Sequence, residues 1–491
     1  MYIVQIASEC APVAKVGGLA DVVYGLSREL QSRVHWVEVV LPKYDGLRYD
    51  QIHALEKVYD DLNVPWYGGS VHCSVFFGFV YGIRCFFIEP HSRDNFFNRG
   101  AFYGFPDDTM RFAFFSKAAL EFLLKTNRRP DIIHCHDWQT GLVPVLLFEI
   151  YKFQGMWNSR VCYTIHNFQH QGVCGKDILV ATGLQRPEYF SHYDRMRDNF
   201  NPGALNLLKS GIVYANFVTT VSPQHAWEGR RTGQGFGLNH TLQIHEHKFA
   251  GVLNGVDYDV WNPEIDRHIP CRYGPRTLAD KYRNKDALRD RFWLRKAFKP
   301  LISFIGRLDP QKGIHLLRHA LEYSLAHGAQ FVLLGVSPDP GINASFWQLK
   351  HQVNSNPDCH LELSYNEELS HLVYAGSDML LVPSVFEPCG LAQMIALRYG
   401  TVPIVRAVGG LMNTVFDRDH AANPYYERNG YVFRDSDYKA LESGLSRAIG
   451  LWYSYPEEFR DLVRNGMCCD YSWNYPGQKY VEIYHHIWSR S

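Results

Sequence analysis

The first half of the chain alternates short apolar runs with longer amphipathic ones. Strands are predicted over residues 2–7, 37–41, 131–135, 161–165 and 217–221, and helices over 19–30, 110–124, 141–151 and 205–215. Alternating β and α segments of this kind predict a parallel sheet covered on both faces. The rhythm stops over 256–300, a stretch rich in Pro, Asp and Arg that reads as a linker. It then restarts, with strands over 301–305, 330–334, 361–363, 379–382 and 403–405 and helices over 313–327, 346–354, 367–375 and 390–399. The expected fold class is therefore α/β, with two doubly wound domains, 1–255 and 301–470, facing each other across a cleft. The segment 471–491, helical over 477–487, is expected to return to the first domain. Ligands of such sheets sit outside the carboxyl ends of the strands, so chemistry is sought just after strands.

Composition narrows the classes. Fifty basic residues balance fifty acidic ones, so no global field draws the chain to nucleic acid or anionic lipid. No apolar run reaches 18 residues, and none is expected to enter a membrane. Eleven cysteines, an odd number without a Cys-x-x-Cys pair, argue against a disulfide framework and a structural zinc site. They point to a reducing compartment: cytoplasm, or plastid stroma had a transit segment been removed. Aromatic residues make up 14%, which fits either large cores or contact with the CH faces of sugars.

The charged and glycine-rich turns fall where the strands end. Lys15-Val16-Gly17-Gly18-Leu19-Ala20-Asp21 follows the first strand. Two glycines allow close backbone approach and a helix N-terminus favours an anion, although a plain tight turn reads the same way. Gly306-Arg307-Leu308-Asp309-Pro310-Gln311-Lys312-Gly313 places two cations around the matching loop of the second half. Arginine offers a fork to phosphate oxygens and lysine a compact charge. In Phe386-Glu387-Pro388-Cys389-Gly390-Leu391, Glu387 can accept sugar hydroxyls or merely cap a helix, and backbone N–H groups near Gly390 and Leu391 can hold a phosphate. Ala407-Val408-Gly409-Gly410-Leu411 repeats the theme. His134-Cys135-His136-Asp137-Trp138 and Thr164-Ile165-His166-Asn167 each end a strand. A metal site is not expected there, because Cys135 separates His134 from His136 and no distant carboxylate cluster completes a ligand set.

Together these segments resemble glycosyltransferase family five of the GT-B fold, the bacterial glycogen synthases and plant-type starch synthases. The resemblance rests on Lys15-x-Gly-Gly-Leu, His136-Asp137-Trp138 and Phe386-Glu387-Pro388-Cys389-Gly390-Leu391, and runs from Ser8-Glu9-Cys10-Ala11-Pro12 to Tyr471-Ser472-Trp473. Lys15-Val16, Pro310–Leu316 and Leu333–Pro338 look closest to the starch synthase three/four branch. It implies two Rossmann-like domains and retaining transfer of glucose from ADP-glucose, or UDP-glucose, to an α-1,4-glucan. Lys15, Arg307 and Lys312 are implied to bind the diphosphate, with Gly18, Cys389, Gly390, Leu391, Gly409 and Gly410 around it. Glu387, His166 and Asn254 would hold the donor glucose, Tyr365 would lie beside the base, and Asp21, Asp137 and Trp138 would face the acceptor. Val408 departs from the family's usual Thr and removes one hydroxyl. With three side-chain cations on the leaving group, no cofactor and no divalent ion is expected.

Overall fold

A computed structural model describes residues 1–364 and 366–489. The chain divides into two compact units, Met1–Gly255 with Trp473–Ser491, and Val256–Ser472. Among the described residues no helix is long and apolar enough to cross a membrane.

The first unit contains β1 (Tyr2–Ile6), β2 (Trp36–Pro42), β3 (His53–Trp66), β4 (Gly69–Val80), β5 (Ile83–Pro90), β6 (Ile132–His136), β7 (Arg160–Ile165), β8 (Val173–Cys174), β9 (Leu205–Asn206), β10 (Phe217–Thr220) and β11 (Phe249–Gly251). Nine of them form one sheet, in the order β11-β10-β7-β6-β1-β2-β5-β4-β3. It is parallel from β11 to β5 and antiparallel across β5, β4 and β3. β1 lies at the centre because it is apolar on both faces, with Ile3, Val4 and Ile6 fully buried. One face packs on the helix Asp108–Lys125, which buries Phe112, Phe114, Phe115 and Phe122. The other is covered by the helix Gly18–Ser32 and by Trp473, Tyr480, Tyr484 and Ile487 of the C-terminal segment. Gly25 lets the Trp473 indole approach, since a Cβ there would lie 2.1 Å from its Nε1. The helix expected over 205–215 begins at Leu207, because Leu205–Asn206 pairs with β8 and the Asn206 side chain caps the helix.

The second unit is parallel throughout: β12 (Leu301–Ile305), β13 (Gln330–Leu334), β14 (Cys359–Glu362), β15 (Met379–Val382), β16 (Val402–Arg406) and β17 (Tyr431–Phe433). Their order, β14-β13-β12-β15-β16-β17, is the 3-2-1-4-5-6 arrangement of dinucleotide-binding folds. The stretch read as a linker, 256–300, belongs to this unit and carries the helix Lys281–Arg291. That helix escapes a hydrophobic reading because its buried face is cationic. Lys281, Lys285 and Arg289, spaced by four, all point inward. Lys281 Nζ donates to the carbonyls of Tyr374, Ala375 and Tyr399 and to Thr401 Oγ1, and Lys285 pairs with Asp378.

Candidate active site

In the first unit the sheet order reverses at β1. The loops following β1 and β6 therefore open beside each other, at the position where doubly wound sheets bind ligands. Lys15, on the β1 loop, forms an ion pair of 2.9 Å with Asp21 in the first turn of the helix Gly18–Ser32. The loop is shaped from below by Glu9, whose Oε2 accepts N–H bonds from Val16 (2.7 Å) and Gly17 (3.1 Å). Tyr103 donates to the other carboxylate oxygen at 2.8 Å. Burial raises the Glu9 pKa, and these bonds oppose the rise. A Cβ built at Gly17 or Gly18 would meet nothing within 4 Å, and neither residue has positive φ. The fold itself does not demand glycine there, so the open space fits close approach by a ligand.

Asp137 follows β6 with φ 54° and ψ −177°, a conformation that side chains other than glycine rarely adopt. Its Oδ1 accepts the His166 N–H at 2.6 Å, tying the ends of β6 and β7 together. Burial pushes its carboxyl up to about 7, against opposing hydrogen bonds from the His166 and Asn167 backbone. Trp138 packs edge-on against Phe112 and close against Gly172, where a Cβ would lie 2.4 Å from the indole. The Asn254 side chain is buried, and its Oδ1 has no hydrogen-bond partner among the described residues. The histidines correct one premise of the sequence reading. Residues at i and i+2 of a strand share a face, so the rings of His134 and His136 stack with centroids 4.3 Å apart. Both nitrogens of each ring are engaged within the fold. His134 contacts Tyr484 and Thr164, and His136 contacts Gln5 and His166.

In the second unit the order reverses at β12, between β13 and β15. The loops after β12 and β15 carry the remaining charged residues. Asp309 accepts the Lys312 N–H at 3.1 Å, closing the turn, and pairs with Arg307 at 3.3 Å. Arg307 stays 58% exposed, so its guanidinium is open to a ligand. Lys312 Nζ donates to Glu387 Oε2 at 2.7 Å, and Ser384 donates to the same oxygen at 2.8 Å. The glycines here answer to packing. Gly313 has φ 71° and a Cβ would lie 2.1 Å from the Pro383 carbonyl. Cβ atoms at Gly409 and Gly410 would strike the Glu387 and Cys389 carbonyls at 1.9 and 2.1 Å. The 407–411 turn is thus pressed onto the Glu387 loop, and Gly410 N–H donates to the Glu387 carbonyl at 3.0 Å.

The helix expected from residue 390 starts at Ala392, with Leu391 at its N-cap and Gly390 in the left-handed region. Cys389 is buried. Tyr365, expected beside the base, lies outside the described residues. A cavity of about 240 Å³ opens elsewhere in this unit, between Tyr282, Phe298, Trp452 and Arg460, and no expected site residue lines it. Sequence reasoning gave no role to Glu9, Gln5, Ser384 or Asp309. Of these Glu9 and Asp309 carried a signal, Glu9 as an acid six residues before Lys15 in the Ser8–Pro12 motif and Asp309 as the acid between Arg307 and Lys312.

Residues 2–244 match the family model described as starch synthase catalytic domain, and residues 289–466 match that of glycosyl transferases group 1. The chain is 67% identical to glycogen synthase 1 of Synechococcus sp. (strain JA-3-3Ab) over 488 residues, covering 99% of both chains. It is 65% identical to glycogen synthase 2 of Methylococcus capsulatus over 483 residues, 98% of this chain and 99% of the relative. The catalytic domain of starch synthase IV from Arabidopsis thaliana, solved with ADP and acarbose, superposes with a TM-score of 0.96 at 43% identity, covering 100% of this chain and 99% of that one. Likeness of this degree, along the whole chain and through both sheets, places the protein in the glycogen and starch synthase family of GT-B glucosyltransferases.

Proposed function

We propose that this chain transfers glucose from ADP-glucose to the 4-hydroxyl of an α-1,4-glucan end, with retention at the anomeric carbon. The observation that carries the reading is the cation pair at the reversal point of the second sheet. Arg307 stands open to solvent, and Lys312 is held against Glu387 five residues later. That is a seat for a diphosphate beside a carboxylate that accepts sugar hydroxyls. The Arabidopsis relative binds ADP, the nucleotide that ADP-glucose leaves behind. On the first unit's own loop, Lys15 lies beside the open space at Gly17 and Gly18, which suits an anion as well.

Retention through a covalent intermediate needs a free carboxylate at the anomeric carbon. Glu387 Oε2 is occupied by Lys312 and Ser384, and Asp137 is a weak nucleophile while it holds its proton. The reading is therefore same-face entry of the acceptor as the diphosphate leaves, with the acceptor's proton passing to the leaving phosphate. Arg307 and Lys312 stabilise the charge that grows there. His166 and Asn254 orient the donor sugar, and Asp21, Asp137 and Trp138 the acceptor. The bacterial relatives support a cytoplasmic setting.

The test is glucose incorporation into glycogen by the purified chain, with ADP-glucose and UDP-glucose in competition at equal concentration. Faster transfer from ADP-glucose is expected. Faster transfer from UDP-glucose reverses the donor assignment, and no transfer from either removes the reading. Activity is expected to survive EDTA. Loss restored by one divalent ion would show that side-chain cations do not suffice.

A further inference from the structure

We propose that Gln5 and His136 are positioning residues for His166. They fix its ring as the tautomer protonated on Nε2 and leave Nδ1 as a hydrogen-bond acceptor for a hydroxyl of the donor sugar. The role assigned to that acceptor rests on the glucosyl-transfer reading; the tautomer itself does not.

Gln5 is fully buried on β1. Its amide nitrogen donates to Ser27 Oγ at 2.6 Å and faces the Val23 carbonyl at 3.4 Å. A carbonyl only accepts, so the NH2 group must point to that helix and Oε1 must point away from it. Oε1 lies 2.8 Å from His136 Nε2 and, being only an acceptor, requires a proton there. A neutral imidazole carries one N–H, so His136 Nδ1 bears a lone pair. That Nδ1 is 3.1 Å from His166 Nε2, which must then be the donor. The His166 ring is left with its lone pair on Nδ1.

Three features hold the relay in place. Burial keeps both rings neutral, His136 far below the usual histidine range and His166 down to about 3. His134 stacks on His136, and its own nitrogens are tied to Tyr484 and Thr164. The strands β1, β6 and β7 are adjacent, with Gln5 opposite His134 and His136 opposite Thr164, so each bond reaches two residues further along the next strand and the chain of bonds runs diagonally across one face of the sheet to the end of β7. His136 is shut inside, whereas His166 is half-buried at the strand end, where a sugar can reach it.

The tautomer is read directly in the full-length enzyme carrying 15N-histidine, with the His166 signals identified by their absence in H166N. The expected spectrum shows Nε2 protonated and Nδ1 bare. A proton on Nδ1 overturns the proposal, and this measurement needs no variant of Gln5 to fold. In Q5L the pinning acceptor is gone, so a mixture of the two His166 tautomers is expected; an unchanged population overturns the role of Gln5. Kinetically, Q5L should lower kcat/KM for ADP-glucose roughly tenfold, the scale of one lost hydrogen bond. Q5L/H166A should be no worse than H166A, whereas losses that multiply would show that Gln5 does not act through His166. If the wild-type enzyme transfers no glucose, the function assigned above fails while the spectrum still decides the tautomer.

Discussion

A methyl group at Gly17 or Gly18 would touch nothing, while one at Gly313 would collide with the Pro383 carbonyl. The two kinds of glycine should behave differently when replaced. Gly17→Ala and Gly18→Ala are expected to melt like the parent and to raise KM for ADP-glucose. Gly313→Ala, at positive φ, should lose at least about 1–2 kcal/mol of stability. Thermal melts alongside donor titrations check this, and a destabilised Gly18→Ala with normal KM would contradict it. The cations divide in a similar way. Arg307 is exposed and, among the described residues, pairs with Asp309, so Arg307→Ala should cut turnover by about two orders of magnitude and leave the melting temperature alone. Lys312→Ala should match that loss and also melt earlier, because buried Glu387 keeps its charge without its partner, a penalty of about 1–3 kcal/mol. Near-parental turnover in both variants would sink the diphosphate assignment.

At the ends of β6 and β7, two buried histidines and the half-buried His166 make the first unit sensitive to acid. Burial takes His134 and His166 down to about 3 and His136 lower than usual, so the folded state refuses protons that the unfolded chain accepts below about 6.5. Their stabilisation is present above that pH and is lost as pH falls. Asp137 works the other way, keeping its proton up to about 7 when the unfolded chain releases it near 3.8. Glu9, raised by burial in the same unit, acts with Asp137, but its unperturbed range lies lower, so the histidines dominate between pH 6.5 and 5 and stability falls as pH falls through that window. Melting temperatures between pH 7.5 and 5 check the sign; a flat profile would mean that the rings are charged in the folded state. These same elements show what a sequence reveals. The runs 301–305, 330–334 and 379–382 are apolar because parallel strands are buried on both faces, and they were legible to the residue. The meander β3–β5 was not, since β3 is largely exposed and bulged. Its two-residue turns are Tyr67-Gly68 and Tyr81-Gly82, all at positive φ, with tyrosine where Asn or Asp would have announced a hairpin. The charged loops were readable because they follow strands directly. The relay from Gln5 to His166 was not, because it exists only once β1, β6 and β7 lie side by side.

On the scale of the whole molecule, the chain begins and ends in the same unit. Stopping it after Ser472 would strip Trp473, Tyr480, Tyr484 and Ile487 from the sheet face formed by Ile3, Val37, Ile132 and Cys162. At roughly 1.5–3 kcal/mol per large buried side chain, that loss rivals the total stability of an ordinary domain. The truncated protein is expected to be cut rapidly by protease within 1–255 and to keep 256–472 resistant; the opposite pattern would mean that the C-terminal helix is dispensable to the first sheet. The arrangement also sets a timetable on the ribosome. The first unit's strands are all synthesised by Gly251, yet the side chains that cover their second face leave the tunnel more than two hundred residues later. At about 5–20 residues per second the nascent sheet waits roughly ten to forty-five seconds with apolar surface bare. Of the two units, the one whose strands emerge earlier is completed later, and a chain stopped before Trp473 carries its defect in the sheet made from its first 251 residues.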